Sequence, residues 1–199
     1  SVKYFNKIFN FNIKNELIPY QQNILATIAV LSLKLDLNKI SKSIFNSYKI
    51  PEGRGDTFKF RTKNKNITIF DETYNSNPIS LQFAINKFDK IYQPNSKKIL
   101  ILGDMLELGK KSKVLHEMLS PIINHSKINK LFVHGNLIMD TYKHVNKDKR
   151  GNVLQDKSDF KEIILPILQN NDYLMIKGSN ATGLNKISAN LTKGKINAF

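Results

Sequence analysis

No cysteine occurs among the 199 residues, which excludes disulfides and thiolate metal sites and fits a reducing compartment. No apolar run is long enough to cross a bilayer. The opening Ser1-Val2-Lys3-Tyr4-Phe5 lacks both the apolar core of a signal peptide and an initiator Met. The expectation is a cytoplasmic location for a piece of something longer. There is no internal repeat and no low-complexity linker. Negative charge is scarce: 16 Asp and Glu against 31 Lys and Arg leave a formal net charge of +15. Such an excess can mark a nucleic-acid or anionic-membrane surface. Here the lysines are scattered, in tracts no denser than Lys110-Lys111 or Lys147-Asp148-Lys149-Arg150, with no aromatic-interleaved basic stripe. We read them as solvated faces of a Lys-, Asn- and Ile-rich composition, and expect neither a nucleic-acid nor a membrane partner. An anionic small molecule remains compatible. The most consequential absence is a Gly-x-x-x-x-Gly-Lys-Ser/Thr motif. Leu108-Gly109-Lys110-Lys111-Ser112 lacks its first glycine, so the sequence holds no P-loop for a triphosphate.

What is present is enough for a core. With 41% hydrophobic residues the chain is not compositionally disordered, and its length suits one domain or one and a half. The first twenty residues read as irregular or short strands, with Phe5, Phe9, Phe11 and Ile13 apolar and Pro19 marking a boundary. Ile24, Ile28, Leu31 and Leu35 then repeat as one face of a helix. Asn38 can cap a second helix with Ile40, Ile44, Phe45 and Tyr48 inward, ended by Pro51 and Gly53. Phe58 and Phe60, then Ile67 and Ile69, alternate as a hairpin turning at Lys63-Asn64-Lys65-Asn66. From Ser80 helix and strand alternate. Helices carry Leu81, Ala84, Ile85 and Phe88; Val114, Leu115, Met118, Leu119 and Ile122; Ile138 to Tyr142; Ile163, Ile164, Ile167 and Leu168, capped by Ser158; and Leu184 to Leu191. Strands span Lys98 to Leu102, Leu131 to Val133, Asn152 to Leu154 and Tyr173 to Ile176. That order predicts an α/β fold with a parallel-rich sheet and crossover helices. Pro121 and Pro166 fall inside two of these helices and are expected to kink or shorten them.

Polar loops follow several strands. Asp71-Glu72-Thr73-Tyr74-Asn75-Ser76-Asn77-Pro78 comes after Ile67-Thr68-Ile69-Phe70. Its carboxylates can accept from ribose hydroxyls, ligate a hard cation or act as bases, and adjacent strand residues face opposite ways, so they are not expected to share one task. Ordinary Asx-turn and capping chemistry explains the same residues. Gly53-Arg54-Gly55 offers a guanidinium to a phosphate, or a surface turn before the hairpin. Asp104 and Glu107, bracketed by Gly103 and Gly109, stand where open parallel sheets bind ligands, or cap the next helix. Lys177-Gly178-Ser179-Asn180 ends the last strand in the same way and can meet a phosphate or carboxylate. His116, His125, His134 and His144 form no catalytic or metal-binding spacing and read as surface or capping histidines, His116 on the polar side of its helix.

Taken together, Gly53-Arg54, Asp71 to Pro78, Leu102 to Gly109, Ser112 with His116, and Lys177 to Asn180 resemble, in that order along the chain, the motifs of the Mur ligases. Glu72 stands for the usual Asp, Asn180 for Arg, and Pro19-Tyr20 for His-Asn. The resemblance implies an ATP-dependent ligase that adds D-alanyl-D-alanine to UDP-N-acetylmuramoyl-tripeptide, with both substrates and the missing N-terminal and P-loop domains as partners. It implies that residues 1–75 are the tail of the central ATP-binding domain and 76–199 the Rossmann-like C-terminal domain. ATP and Mg2+ are the implied cofactors, with the metal ligands upstream and none here, and no catalytic residue is assigned. Asn23 looks like the residue meeting adenine, and Arg54 like the one reaching phosphates. Glu72 matches the ribose contact beside Asp71, and Tyr74 and Asn75 line the same hinge. Asp104, Glu107, Lys177 and Ser179 fall in loops that bring the incoming amine. Without a phosphate cradle the chain is expected to be inactive alone. A non-catalytic remnant or binding module is the alternative.

Overall fold

The computed structural model describes residues 1–4, 6–62, 64–91, 94–156 and 158–194, without the side chains of Tyr4, Glu16 and Pro19. Phe5 and Lys63 therefore lie outside the described residues, as does the side chain of Pro19. Two compact units divide between Ile50 and Pro51.

In the first unit β1 (Val2–Tyr4) pairs antiparallel with β2 (Lys7–Phe9), and a 3-10 turn leads into α1 (Gln21–Ser32). Its small core is Leu17, Ile28, Leu37 and Phe45. The expected second helix does not form: a 3-10 turn at Leu37–Lys39 is followed only by turns. The cap is Asp36 rather than Asn38, its carboxylate accepting from the Asn38 N–H at 3.0 Å and from Asn38 Nδ2 at 2.9 Å. Ser41 and Ser43 spend their hydroxyls on each other, and Ser41 Oγ also accepts from the Ser43 N–H. Such local side-chain bonds compete with a helix, and they win here. Phe45 is buried as expected, but Ile44 and Tyr48 are 42% and 49% exposed.

The second unit is a six-stranded sheet between two helical layers. It comprises β3 (Asp56–Arg61), β4 (Asn66–Glu72), α2 (Pro78–Asp89), β5 (Lys98–Gly103), α3 (Ser112–Glu117), α4 (Leu119–His125), β6 (Lys130–His134), α5 (Met139–Tyr142), β7 (Arg150–Val153), α6 (Leu165–Ile167), β8 (Tyr173–Lys177) and α7 (Leu184–Thr192). The strand order is β3-β4-β8-β5-β6-β7, with β3 antiparallel to β4 and every other pairing parallel. Alternating strand residues feed opposite cores. Leu100, Leu102, Leu131, Val133 and Met175 pack with α2, α4 and α5 residues. Ile67, Ile69, Ile99, Ile101, Leu174 and Ile176 pack with Phe160, Ile164 and the Leu184, Ile187 and Leu191 face of α7. The α/β, parallel-rich expectation therefore holds. The expected division near Asn75 and the observed one after Ile50 differ by the hairpin. β4 pairs with β8, and Phe60, Ile67 and Ile69 share a core with Leu174 and Ile176, which ties 51–75 to the sheet.

Both prolines interrupt helices. The helix expected over 114–122 breaks at Met118, placing Pro121 in the first turn of α4, where its missing N–H costs nothing. Before Pro166 the chain runs as a π-helix, Phe160–Ile164. Ser158 does not cap it, because its N–H and Oγ both donate to Asp156.

Candidate functional site

Because β4, β5, β6 and β8 are parallel, their C-terminal ends share one edge of the sheet. The chain leaves β5 toward the α2 and α4 face, but leaves neighbouring β8 toward α7 on the other face. Such a reversal opens the crevice in which doubly wound sheets hold ligands.

At that edge Glu72 and Lys177 are register partners, their charges 3.7 Å apart. Lys177 is 2% exposed and donates to the Asn75 carbonyl at 3.0 Å. Its ammonium is therefore spent inside the protein. Burial pushes the Glu72 carboxyl above its ordinary value, against the pull of the Lys177 charge. Burial likewise pulls Lys177 below its ordinary value, against the pull of Glu72. Strand alternation separates the adjacent acids, as expected: buried Asp71 accepts from the Thr73 N–H and Oγ at 3.0 and 2.7 Å, an Asx-turn.

The Gly53–Gly55 turn lies beside this loop. The Tyr74 N–H donates to the Gly53 carbonyl at 3.0 Å, and the Gly55 N–H to the Asp71 carbonyl at 2.9 Å. Gly55 has φ +90°, and a Cβ there would stand 3.2 Å from Glu72 Oε1. The Arg54 guanidinium lies 4.0 Å from the centre of the Tyr74 ring. A guanidinium over an aromatic ring is held there by attraction to the π-face. Buried Ser76 Oγ has no hydrogen-bond partner among the described residues. The Asn77-Pro78 end is capping chemistry, with Asn77 Oδ1 accepting from the Ser80 N–H at 2.8 Å.

In the loop after β5, Asp104 turns toward the loop after β6: its carboxylate accepts from the Asn136 and Ile138 N–H groups at 3.2 and 2.8 Å. The Asp104 carbonyl accepts from the Ser179 N–H at 3.0 Å, while Ser179 Oγ accepts from the Leu106 N–H at 3.0 Å. Glu107 remains exposed, in the left-handed region at φ +63°. His116 corrects the expectation of a surface residue. It is fully buried, its Nε2 accepting from the Met105 N–H at 3.1 Å while Nδ1 donates to the Ser112 carbonyl at 2.8 Å. The buried face of this helical stretch is His116, Leu119, Ser120 and Ile123, with Val114 and Met118 58% and 60% exposed. An imidazole counted as polar hid that face. Of the remaining histidines, expected as surface or capping residues, His125 and His144 lie at helix ends and His134 ends β6. Nδ1 of His125, His134 and His144 donates to the carbonyls of Pro121, Leu154 and Asp140.

The structure thus gathers Arg54, Asp71, Glu72, Tyr74, Asn75 and Lys177, and joins Asp104 to Ser179. Asn23 lies in the other unit, exposed in the first turn of α1. Among the described residues no cluster of three or more His, Asp or Glu is placed to hold a metal. An exposed guanidinium and a partly buried carboxylate across a glycine turn fit a ligand with phosphate and hydroxyl groups.

Residues 58–180 match the family described as Mur ligase, glutamate ligase domain. A UDP-N-acetylmuramoyl-tripeptide–D-alanyl-D-alanine ligase of Buchnera aphidicola subsp. Baizongia pistaciae is 30% identical over 176 residues, 84% of this chain and 35% of that protein. The ligase of the same name from Bacillus subtilis is 28% identical over 134 residues, 65% of this chain and 29% of its own length. The chain thus covers only 29% to 35% of the length of these curated relatives. In fold it is similar to a MurF ligase from Thermotoga maritima in complex with ADP, with TM-score 0.60 and 22% identity, covering 90% of this chain and 39% of that one. It is also similar to a murein peptide ligase from Psychrobacter arcticus, with TM-score 0.61 and 14% identity, covering 94% of this chain and 38% of that one. With the family matched from Phe58 to Asn180, across every strand of the sheet, this chain belongs to the Mur ligase family.

Proposed function

We propose that this chain is the C-terminal part of an ATP-dependent ligase that joins D-alanyl-D-alanine to UDP-N-acetylmuramoyl-tripeptide in cytoplasmic peptidoglycan precursor synthesis. The observation that carries the reading is the meeting of Arg54, Tyr74 and the Glu72–Lys177 pair at the ligand edge of a Mur ligase sheet. When bound, ATP supplies the phosphoryl group that activates the tripeptide carboxylate for amide formation.

In this reading Arg54 meets phosphate oxygens, preset by the Tyr74 ring, and Glu72 accepts from the ribose hydroxyls. Lys177 keeps the Glu72 carboxylate and the Asn75 carbonyl in place. Asn23 at the adenine rests on the resemblance alone. The Mg2+ ligands and the P-loop belong to the part of the ligase outside this sequence, so the chain alone does not turn over. Its residues bind, orient and exclude water, which is how positioning lowers a barrier to phosphoryl and acyl transfer.

The first unit, 1–50, is proposed as the tail of the central ATP-binding domain. Leu25, Val30 and Leu33 of α1 and its C-terminal turn are 44%, 66% and 75% exposed while Ile28 fills the unit's own core. A helix apolar on both sides is one that a larger domain covers. The test is growth rescue of a bacterium depleted of its own D-alanyl-D-alanine-adding ligase. The chain supplied with a P-loop-bearing segment should restore colonies, and the Arg54→Ala version should not. Failure of the wild-type pair, with both pieces folded, points to a non-catalytic module.

A further inference from the structure

We infer that His116 is a positioning residue: its ring pins the loop after β5, which Asp104 and Ser179 tie to the loops after β6 and β8, and that loop presents Glu107 to a cationic amine. The inference rests on the proposed ligase reading for the amine, but the lock itself stands on geometry.

Two successive backbone N–H groups of the loop after β5 have side-chain acceptors from other elements. Met105 donates to His116 Nε2 and Leu106 donates to Ser179 Oγ. A donor aimed at Nε2 requires a lone pair there, which fixes the proton on Nδ1, where the Ser112 carbonyl accepts it. The His116 carbonyl in turn accepts from buried Thr141 Oγ1 at 2.7 Å, binding α3 to α5. Asp104 completes the body through the Asn136 and Ile138 N–H groups and through its own carbonyl to Ser179.

Each of these groups is consumed within the protein, so none is free to contact a substrate. Glu107 differs: exposed, and held at φ +63°, a conformation a non-glycine residue adopts only when its surroundings dictate it. The lock ends at Leu106, one residue before it. An exposed carboxylate carried on a constrained backbone, at the edge where β5 and β8 diverge, suits an ammonium group.

The experiment has two readouts. In the isolated chain, nitrogen-15 NMR should show His116 as the Nδ1–H tautomer, with the Met105 amide protected from hydrogen exchange. His116→Leu should expose that amide, and His116→Gln, whose side-chain oxygen can stand in for Nε2, should restore protection. In the chain complemented with its P-loop segment, His116→Leu should raise KM for the amine substrate about tenfold with little change in KM for ATP. Glu107→Gln should do the same, and His116→Gln should recover most of it. An Nε2–H tautomer or a rapidly exchanging wild-type Met105 amide overturns the lock. An unchanged amine KM in an active His116→Leu enzyme overturns the positioning role. An inactive wild-type complement instead removes the ligase reading, while the amide data still decide the lock.

Discussion

Lys177 stands opposite Glu72 in the parallel pairing of β8 with β4, and its buried ammonium, 3.7 Å from the carboxylate, also donates to the Asn75 carbonyl. One lysine thus holds the end of a strand and the loop beyond it. Lys177→Met leaves a partly buried carboxylate and a carbonyl without their partner, and should cost about 3 kcal/mol in urea unfolding. Lys177→Met combined with Glu72→Gln should recover part of that loss. Simple additivity of the two substitutions would deny the coupling.

The same pair sets a pH dependence. Glu72 titrates above its ordinary 4.5 because burial dominates. A group whose folded pKa is raised contributes stability that is present below 4.5 and lost as pH rises through its folded value. Lys177, lowered from 10.5, contributes stability present above 10.5 and lost as pH falls through its folded value. Between pH 4.5 and neutrality, then, wild type should lose stability relative to Glu72→Gln. Parallel denaturation profiles over that range would contradict the assignment.

How much of this was legible in sequence depends on range. The α2 face, Leu81, Ala84, Ile85 and Phe88, is buried as its spacing predicted, because one helix met one core. The stretch 112–125 misled, since the face includes an imidazole and the helix restarts before Pro121. The second helix of the first unit failed through local Ser and Asp bonds that a hydrophobic period does not register. The Arg54–Tyr74 stack and the insertion of β8 between β4 and β5 are long-range facts set by strand pairing. Motif order signalled that these loops belong together, but not that Lys177 and Asp104 face inward.

Arg54 should not tolerate lysine. A point charge neither stacks on Tyr74 nor forks to a phosphate, so Arg54→Lys in the complemented protein should raise KM for ATP about tenfold. Tyr74→Phe keeps the ring and should be near neutral. Equal effects from these two changes would remove the stack from the account.

Gly135 tests the contact between the loops after β5 and β6. Gly135 has φ +120°, and a Cβ there would collide with the Asp104 carboxylate. Gly135→Ala should therefore destabilise by about 3 kcal/mol, from backbone strain plus the displaced carboxylate. A thermal midpoint unchanged from wild type would show that Asp104 does not hold that loop.

In the proposed function this chain completes a ligase whose phosphate cradle lies in another segment. The most direct measurement is phosphate release from ATP and Mg2+, by the chain alone and by the chain with a P-loop-bearing segment. The prediction is release that requires both UDP-N-acetylmuramoyl-tripeptide and D-alanyl-D-alanine, only in the combined sample. Release by the chain alone, or none when two folded pieces are combined, would contradict it.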